Sequence, residues 1–507
     1  MESSKHTRRD FLKSTAAAGA AQAGSRPPNI LFLMADQFRY DCLGANGNKI
    51  VRTPNLDGLA AESANFSHAF VQAPVCVPSR VSYFTGRYPH SHKNRVNYTP
   101  CDPREVFLQR MLKDAGFETG SVGKLHLHPP TAEHAQSTGF DRVLMHDGVG
   151  NTDPYSDYVK WRRANDPQAA TPYTALAKPI AAGKNPFRAA VGYEFSPTHW
   201  TGEETCKMLR EFAGRRKPFF LYSSFFKPHS PFETPAPYDT MYDGVEIPLP
   251  KRTSLEDIEK LPLPLQKLIL RARQPEYAIP PERLQWMYRS YYAAVSMVDY
   301  EIGRILAELD KSGQARETIV IFSTDHGAQL LEHGLMDKNV FFESSVHVPF
   351  LLRYPGGAGV GNAKRDEMVE MVDLLPTLLE LCSLPIPKNV QGRSFSRASA
   401  GREMVFAENI IPEIITGGAL NMAFVPGQGV AGIRHPDAKM VRTRQWKMTY
   451  YTGHGGELYD LVNDPHEERN LIDDAAQRGR VGDLKQAILD WMITADENDQ
   501  IAERWLL

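Results

Sequence analysis

Short, uninterrupted apolar runs alternate with longer segments of helical periodicity along most of the chain, and this alternation restricts the fold more than any other feature. The apolar runs include residues 30–34, 217–226 and 318–323. The helical segments between them include residues 53–64, where Thr53 is the expected N-cap, and residues 103–116, 201–214 and 284–313. Continuous apolar runs of this length are typical of strands buried on both faces. The alternation therefore predicts an α/β domain with a mostly parallel sheet flanked by helices.

The pattern changes after about residue 385. Residues 440–461 are typical of an antiparallel hairpin with a glycine-rich turn at 453–456, and residues 483–503 are typical of a terminal helix. We therefore expect a large domain over 27–385 and a smaller α+β subdomain over 386–507, which contains a short antiparallel sheet. Segments 142–200 and 237–282 are rich in proline, glycine and polar residues, as lids or insertions beside a functional site often are.

The composition excludes several classes of partner. The 507 residues carry a formal net charge of −2, which favours neither nucleic acid nor an anionic membrane surface as a partner. No uninterrupted apolar run reaches the roughly 18 residues of a membrane-spanning helix. Five cysteines are too few for a disulfide framework, and no Cys-x-x-Cys spacing indicates structural zinc. Setting Cys76 aside, the other four allow no bridge, one bridge or two: Cys42, Cys101, Cys206 and Cys382. The sequence leaves the oligomeric state open.

The first 26 residues are similar to a twin-arginine export signal. Arg8 and Arg9 precede Phe11, and an Ala/Gly run leads to a small-residue cleavage pattern at 21–23. We therefore expect export to the periplasm or the medium, although a basic disordered tail would have a similar composition. Under either interpretation, we expect residues 1–26 to lie outside the folded domain.

Polar groups follow four of the predicted strands directly. Asp36 and Gln37 follow the first strand, Lys124 and His229 follow the strands near 117–123 and 217–226, and Asp325-His326 follows the strand at 318–323. Ligands of open α/β sheets bind beyond the carboxyl ends of the strands. The sequence therefore predicts that these segments meet at one edge of one sheet.

A lone cysteine begins the sequence Cys76-Val-Pro-Ser-Arg80, which continues to Thr85-Gly86-Arg87. Its position just before residues 79–84 predicts that Cys76 lies at a helix N-terminus, where free N–H groups favour anions. This stretch resembles the signature of the formylglycine-dependent sulfatases. Further resemblance to that family lies in residues 29–44, 123–128, 226–232, 321–327 and 458–471. The chain is therefore similar to type I sulfatases of the alkaline-phosphatase-like superfamily over most of its length, and we expect their fold.

The resemblance implies that a formylglycine-generating enzyme oxidises Cys76 to Cα-formylglycine. The hydrated aldehyde would attack the sulfur of a sulfate ester, form a sulfated intermediate and then release sulfate. By the same resemblance, Arg80 would hold the formylglycine and the metal site together. Lys124 and Lys338 would bind sulfate oxygens. His126 would contact the second hydroxyl, and His229 would protonate the leaving alcohol.

The resemblance also implies one divalent cation. Its ligands would be Asp36, Gln37, Asp325, His326 and the modified Cys76. The commonest family pattern has Asp-Asp and Asp-Asn, so the glutamine and the histidine are departures. Oxygen ligands favour calcium, and the histidine nitrogen keeps manganese open as the alternative.

The expected activity is the hydrolysis of sulfate esters, and predicted export favours sulfated carbohydrates as substrates. His90, Asn94, Arg95 and His199 lie in segments that could line the substrate pocket. Two other functions stay open. One is phosphonate monoester or phosphodiester hydrolysis within the same superfamily, where some members pair Asp-Gln with Asp-His. The other is non-catalytic binding of sulfated glycans, although the intact set of lysines and histidines favours an enzyme.

Overall fold

The structure is a computed structural model that describes residues 26–148, 155–171, 185–250, 255–272, 281–355, 363–396, 401–410 and 437–496. Residues 1–25 of the predicted export signal lie outside these ranges, and so do residues 497–503 of the predicted terminal helix.

An eight-stranded sheet forms the centre of the large domain, with the order β10-β2-β9-β6-β1-β5-β3-β4. Its strands are β1 (Asn29–Asp36), β2 (Ala64–Phe70), β3 (Glu118–Gly123), β4 (Arg142–Met145), β5 (Phe219–Pro228), β6 (Thr318–Ser323), β9 (Leu351–Arg353) and β10 (Lys364–Glu370). A two-stranded sheet, β7 (Gln329–Leu330) and β8 (Met336–Asp337), follows β6. β1 pairs in parallel with β5 and β6, and β3 pairs in parallel with β4 and β5. Only β9 among the described strands of the large sheet is antiparallel to its neighbours, so the predicted mostly parallel sheet is confirmed.

Helices cover both faces of this sheet because its strands are apolar on both sides. Ile30, Phe32 and Met34 of β1 belong to one core cluster, and Leu31 and Leu33 belong to the other. The helices are α1 (Pro54–Ala61), α2 (Cys76–Thr85), α3 (Pro89–His92), α4 (Leu108–Asp114), α5 (Ala132–Ser137), α6 (Asp157–Asn165), α7 (Pro197–Ala213), α8 (Leu255–Glu259), α9 (Leu263–Ala272), α10 (Pro281–Lys311), α11 (Glu343–Val346), α12 (Leu374–Leu381) and α13 (Arg478–Asp496). α2, α4 and α12 pack on the first face, and α7 and α10 pack on the second.

A four-stranded antiparallel sheet forms the C-terminal part of the protein. Its strands, in spatial order, are β11 (Val405–Ile410), β12 (Asp437–Arg442), β13 (Trp446–Tyr451) and β14 (Gly455–Asp460). The predicted hairpin with its glycine-rich turn corresponds to β13 and β14. Leu484 and Ile488 of α13 pack against Val441, Met448 and Leu458 of this sheet.

Two local predictions from the sequence are wrong. The helix predicted over 103–116 begins only at Leu108, because the Asp102 side chain accepts a hydrogen bond from the Arg104 amide (2.9 Å) and stabilises a turn there. Thr53 precedes α1 as predicted, but its hydroxyl bonds to the Gly44 amide and to Asp57 rather than capping the helix backbone.

The structure also bears on three other expectations, which concern the cysteines, segment 142–200 and membrane-spanning helices. All five cysteines are free in the part of the chain that the structure describes, so the open disulfide count is zero there. Segment 142–200 contains β4 and α6 and is not one continuous loop, and its role as a lid stays a prediction. None of the described helices combines the length and apolarity that a bilayer crossing requires.

Candidate active site

The polar segments predicted to meet do meet at the carboxyl edge of the large sheet. The strands that carry them, β6, β1, β5 and β3, are consecutive neighbours and all run in the same direction. A register shift after Ala35 places Asp36 opposite Pro228, in the turn that presents His229. At the end of β3, Gly123 has a φ of +91°, and a side chain there would collide with the Ser224 carbonyl oxygen. This close approach brings Lys124 directly beside β5.

Cys76 occupies the first position of α2, a helix that is buried along its whole length. Amide groups at a helix N-terminus attract anions, and the local positive potential favours a negative charge at this residue. The Ser79 hydroxyl anchors the first turn by donating to the Asp325 carbonyl oxygen at 2.5 Å. Asn97 accepts a hydrogen bond from the Val77 amide at 3.0 Å. Sequence reasoning missed Asn97, because its distance from Cys76 along the chain gives no sign of this contact.

Arg80 connects the helix to residues on or directly after four strands, which are β1, β3, β5 and β6. Its guanidinium, which has no exposed surface, lies 2.8 Å from Asp325 Oδ2 and 2.9 Å from Asp36 Oδ2. It also donates to the Lys124 carbonyl oxygen (2.6 Å), the Tyr222 hydroxyl (2.9 Å) and the Ser224 hydroxyl (3.0 Å). A buried arginine with its donors paired in this way fixes the two carboxylates relative to Cys76.

Four buried groups could together hold a metal ion. One ligand atom each from Asp36, Cys76, Asp325 and His326 lies within 4.8 Å of the others. His326 Nδ1 lies 2.8 Å from the Gly327 carbonyl oxygen and donates to it, which leaves Nε2 directed at Cys76 Sγ (3.2 Å). Asp36 Oδ1 is buried without a hydrogen-bond partner among the described residues. An orphaned carboxylate oxygen inside such a set fits a divalent cation.

Lys338 joins the two sides of this cluster. Its ammonium lies 3.1 Å from Cys76 Sγ, 2.9 Å from His229 Nε2 and 3.4 Å from Gln37 Oε1. His229 Nδ1 lies 2.6 Å from the Ser230 carbonyl oxygen and donates to it, so Nε2 is the nitrogen that faces the site. Gln37 thus lies beside the candidate metal ligands, at the sheet edge where the sequence predicted it.

Lys124 and His126 approach the same centre from β3. The Lys124 ammonium lies 2.7 Å from Asp36 Oδ2 and 4.9 Å from the centre of the Phe226 ring. His126 adopts a positive φ of +53°, and its side chain interacts with Cys76. Asp147 holds this turn, since its Oδ1 accepts hydrogen bonds from the amides of Leu125 (2.8 Å) and His126 (3.0 Å). Sequence reasoning missed Asp147 as well.

The charges of the cluster shift the acidity of its members. Burial alone would raise the pKa of the Cys76 thiol, but Lys338, Lys124 and His326 hold that pKa well below its ordinary value. Burial and the neighbouring Cys76 act to raise the pKa of Asp36, yet Lys124, His229 and Arg80 hold it below its ordinary value. The site therefore stabilises negative charge at position 76 and on the Asp36 carboxylate.

The residues predicted to line a substrate pocket are held by other partners. His90 Nδ1 lies 2.6 Å from Glu408, Arg95 pairs with Asp437 at 2.6 Å, and His199 Nδ1 lies 2.9 Å from Glu301. Asn94 is buried and donates to the carbonyl oxygens of Thr99 and Pro100. Their role in binding substrate stays a prediction.

His128, which we expect to be structural, packs against Tyr98, and its pKa is lowered to about 4 by burial and by His126.

Comparisons with known proteins agree with this geometry. The Sulfatase family model matches residues 28–384. An arylsulfatase of Clostridium perfringens is 30% identical over 484 residues, which cover 91% of this chain and 94% of that protein. An ulvan-active sulfatase of Formosa agariphila is 29% identical over 454 residues, which cover 88% of this chain and 77% of that protein.

Among solved structures, the phosphonate monoester hydrolase of Agrobacterium radiobacter matches with a TM-score of 0.78. The two chains are 24% identical, and the match covers 92% of this chain and 96% of the hydrolase. At this identity the match shows a shared fold. Together with the matched family and the arylsulfatase relative, the assembled site leads to one conclusion: the chain belongs to the type I sulfatases of the alkaline-phosphatase-like superfamily and is a sulfuric ester hydrolase.

Proposed function

We propose that the protein hydrolyses sulfate esters of carbohydrates after Cys76 has been converted to Cα-formylglycine. The observation that carries the proposal is the surroundings of Cys76. Its sulfur lies at a helix N-terminus, 3.1 Å from the Lys338 ammonium and 3.2 Å from His326 Nε2. As a formylglycine hydrate, residue 76 would supply one hydroxyl for attack on sulfur and a second hydroxyl whose deprotonation would release sulfate. Within this proposal, Cys76 Sγ stands where an oxygen of the hydrate would lie.

Cations of the chain would bind the sulfate group. Lys124 and Lys338 enter from β3 and from the segment after β8, so their ammonium groups approach the centre from different strands. Fixed positive groups in a buried site stabilise the charge that develops on sulfate oxygens during the transfer. Arg80 would not contact the ester, because its donors are taken by the two aspartates and by β3 and β5.

Two histidines have geometries suited to proton transfer. His229 holds its Nδ1 proton against the Ser230 carbonyl oxygen, so a proton on Nε2 would be directed into the site and towards a leaving oxygen. His126 has a buried Nδ1 with no hydrogen-bond partner in the described ranges. We assign His229 the role of general acid for the leaving alcohol. We assign His126 the role of contacting the second hydroxyl, whose deprotonation releases sulfate.

Asp36, Gln37, Asp325 and His326, with the modified residue 76, would hold one divalent cation. A bound dication would supply positive charge that stabilises the ionised nucleophile and the sulfate oxygens. Oxygen donors from four of these five residues favour Ca²⁺, and the His326 nitrogen keeps Mn²⁺ as the alternative. Maturation requires a formylglycine-generating enzyme as a partner. Export through residues 1–26 stays part of the proposal and would bring the enzyme to extracellular sulfated glycans. The ulvan-active relative is consistent with such a substrate class.

Phosphonate monoester hydrolysis is the second candidate. The observations that favour it are the Asp36-Gln37 and Asp325-His326 pairs and the similarity of fold to a phosphonate monoester hydrolase. The complete Cys-x-Pro-Ser-Arg sequence and the arylsulfatase relative favour the sulfatase. Membership of an enzyme family sets the non-catalytic glycan-binding alternative aside.

A paired assay tests the proposal. Protein co-expressed with a formylglycine-generating enzyme is assayed on p-nitrophenyl sulfate, on phenyl phosphonate monoesters and on a panel of defined sulfated sugars, with released sulfate measured. We expect the sulfate ester to have the higher kcat/KM, and Cys76→Ala to abolish turnover while Cys382→Ala, at another buried cysteine, retains it. A phosphonate preference above about a hundredfold, equivalent to roughly 3 kcal/mol in the transition state, would contradict the proposal.

A further inference from the structure

The segment that carries Lys338 has an unusual backbone. Asp337 and Asn339, on either side of the lysine, both adopt positive φ values, +77° and +79°. A positive φ is uncommon for residues other than glycine, although Asp and Asn adopt it more readily than most, and contacts with neighbouring elements help to hold it. The position of the Lys338 ammonium therefore depends on whatever holds this segment in place.

The first anchor comes from the edge of the C-terminal sheet. Asn409, on β11 and 3% exposed, donates from Nδ2 to the Asn339 carbonyl oxygen at 2.9 Å. The Asn339 amide in turn donates to the Pro74 carbonyl oxygen at 3.1 Å, two residues before Cys76. Asn339 is thus held between the C-terminal sheet and the residues that lead into α2. These two hydrogen bonds, one from a side chain and one between backbone groups, fix Asn339 next to Lys338.

The second anchor lies a few residues further along, at Glu343 in the first turn of α11. The Glu343 carboxylate lies 3.1 Å from Arg442 Nε of β12 and 3.1 Å from Lys447 Nζ of β13. Its amide donates to Glu467 Oε2 at 2.7 Å. Glu467 belongs to residues 458–471, a stretch that resembles the sulfatase family but has no role in the proposed chemistry.

We propose that Asn409 is a positioning residue for the reaction, which acts by holding Asn339 so that the Lys338 ammonium stays within contact of position 76. The C-terminal sheet then serves as the support of one active-site lysine, with Asn409 at one end of segment 339–343 and Glu467 at the other. The inference rests on the proposed function, because it requires that Lys338 acts on the sulfate group.

The test is an Asn409→Ala variant of the full chain, assayed on p-nitrophenyl sulfate and normalised to the fraction of formylglycine at position 76. Displacement of a reacting group by about 1 Å costs up to about a hundredfold, so we expect kcat/KM to fall by about ten- to a hundredfold well below the unfolding temperature. The matched control is Asn65→Ala, at another buried asparagine, which removes an Nδ2 hydrogen bond to Asn46 Oδ1 (3.2 Å) at the start of β2 in the large sheet. We expect it to keep kcat/KM within about twofold, since distant sites act independently.

A double-mutant cycle with Lys338→Ala identifies the route of the effect. If Asn409 acts through Lys338, the double variant will be no slower than Lys338→Ala alone. Losses that multiply, or an Asn409→Ala variant that keeps its activity while Lys338→Ala loses it, would overturn the inference and leave the proposed function intact. A Lys338→Ala variant that keeps full activity would instead contradict the proposed role of the lysine itself, and the inference would fall with it.

Discussion

An Arg80→Ala variant is expected to lose about 3–5 kcal/mol of unfolding free energy, because it removes the buried cation that two buried carboxylates share and leaves Asp36 with Lys124 alone. Asp36 and Asp325 both pair with Arg80, and neither their side chains nor the guanidinium is exposed to solvent. Activity should fall by about a thousandfold, as when a preorganised electrostatic group is removed from an active site. Both effects have one cause, which is that the same guanidinium fixes the carboxylates, the Lys124 turn and β5.

Urea unfolding and kcat/KM per folded molecule measure the two effects separately. The matched control is Arg402→Ala, since Arg402 is also buried and pairs with Asp373 (2.9 Å) and Glu370 (3.2 Å), outside the catalytic cluster. We expect it to lose comparable stability and to keep kcat/KM once unfolded protein is accounted for. An Arg80→Ala variant that loses stability but not catalysis would show that Arg80 supports the fold alone.

Acid is expected to destabilise the protein steeply below about pH 6.5, because buried histidines stay neutral in the folded state. Burial lowers the pKa of His92 and of His146 to about 3. His92 Nδ1 accepts a hydrogen bond from the Asn94 amide (3.1 Å), so protonation there would break that bond. The unfolded chain binds these protons at the ordinary histidine pKa, so stability is complete above about 6.5 and is lost as the pH falls towards 3. Below pH 6.5 each histidine lowers the free energy of unfolding by about 1.4 kcal/mol per pH unit, which amounts to about 5 kcal/mol for both by pH 4.5.

Urea unfolding at a series of pH values between 7.5 and 4.5 measures this dependence. A His92→Gln variant keeps an acceptor for the Asn94 amide but cannot be protonated. Its free energy of unfolding should therefore fall less steeply as the pH falls, with a slope that is smaller by the equivalent of about one bound proton. His466→Gln, at an exposed histidine, should leave the slope unchanged. Identical slopes for the wild type and His92→Gln would contradict the neutral state of His92.

Local sequence information was sufficient to predict the parts of the site that follow strands. Asp36, Lys124, His229 and Asp325 each come directly after an apolar run, and parallel topology then brings strand ends to one edge. Cys76 at the start of α2 was predicted from the residues around it.

Long-range partners left no comparable signal. Asp147, Asn97 and Asn409 contact the site through backbone amides and carbonyls, which any polar side chain can bind when the fold brings it close. Their roles depend on tertiary contacts between segments that have no periodic or motif-like relation. The late start of α4 has a similar explanation, because the Asp102 side chain competes with the helix for the first amides.

The most direct test of the central claim is the mass of the peptide that contains residue 76, measured in catalytically active protein. The account predicts that this peptide is about 18 Da lighter than its cysteine form, as expected for a thiol carbon oxidised to an aldehyde. It also predicts that the modified fraction rises in proportion to the rate of sulfate release across preparations. Full sulfatase activity in protein whose residue 76 is an unmodified cysteine would contradict the account.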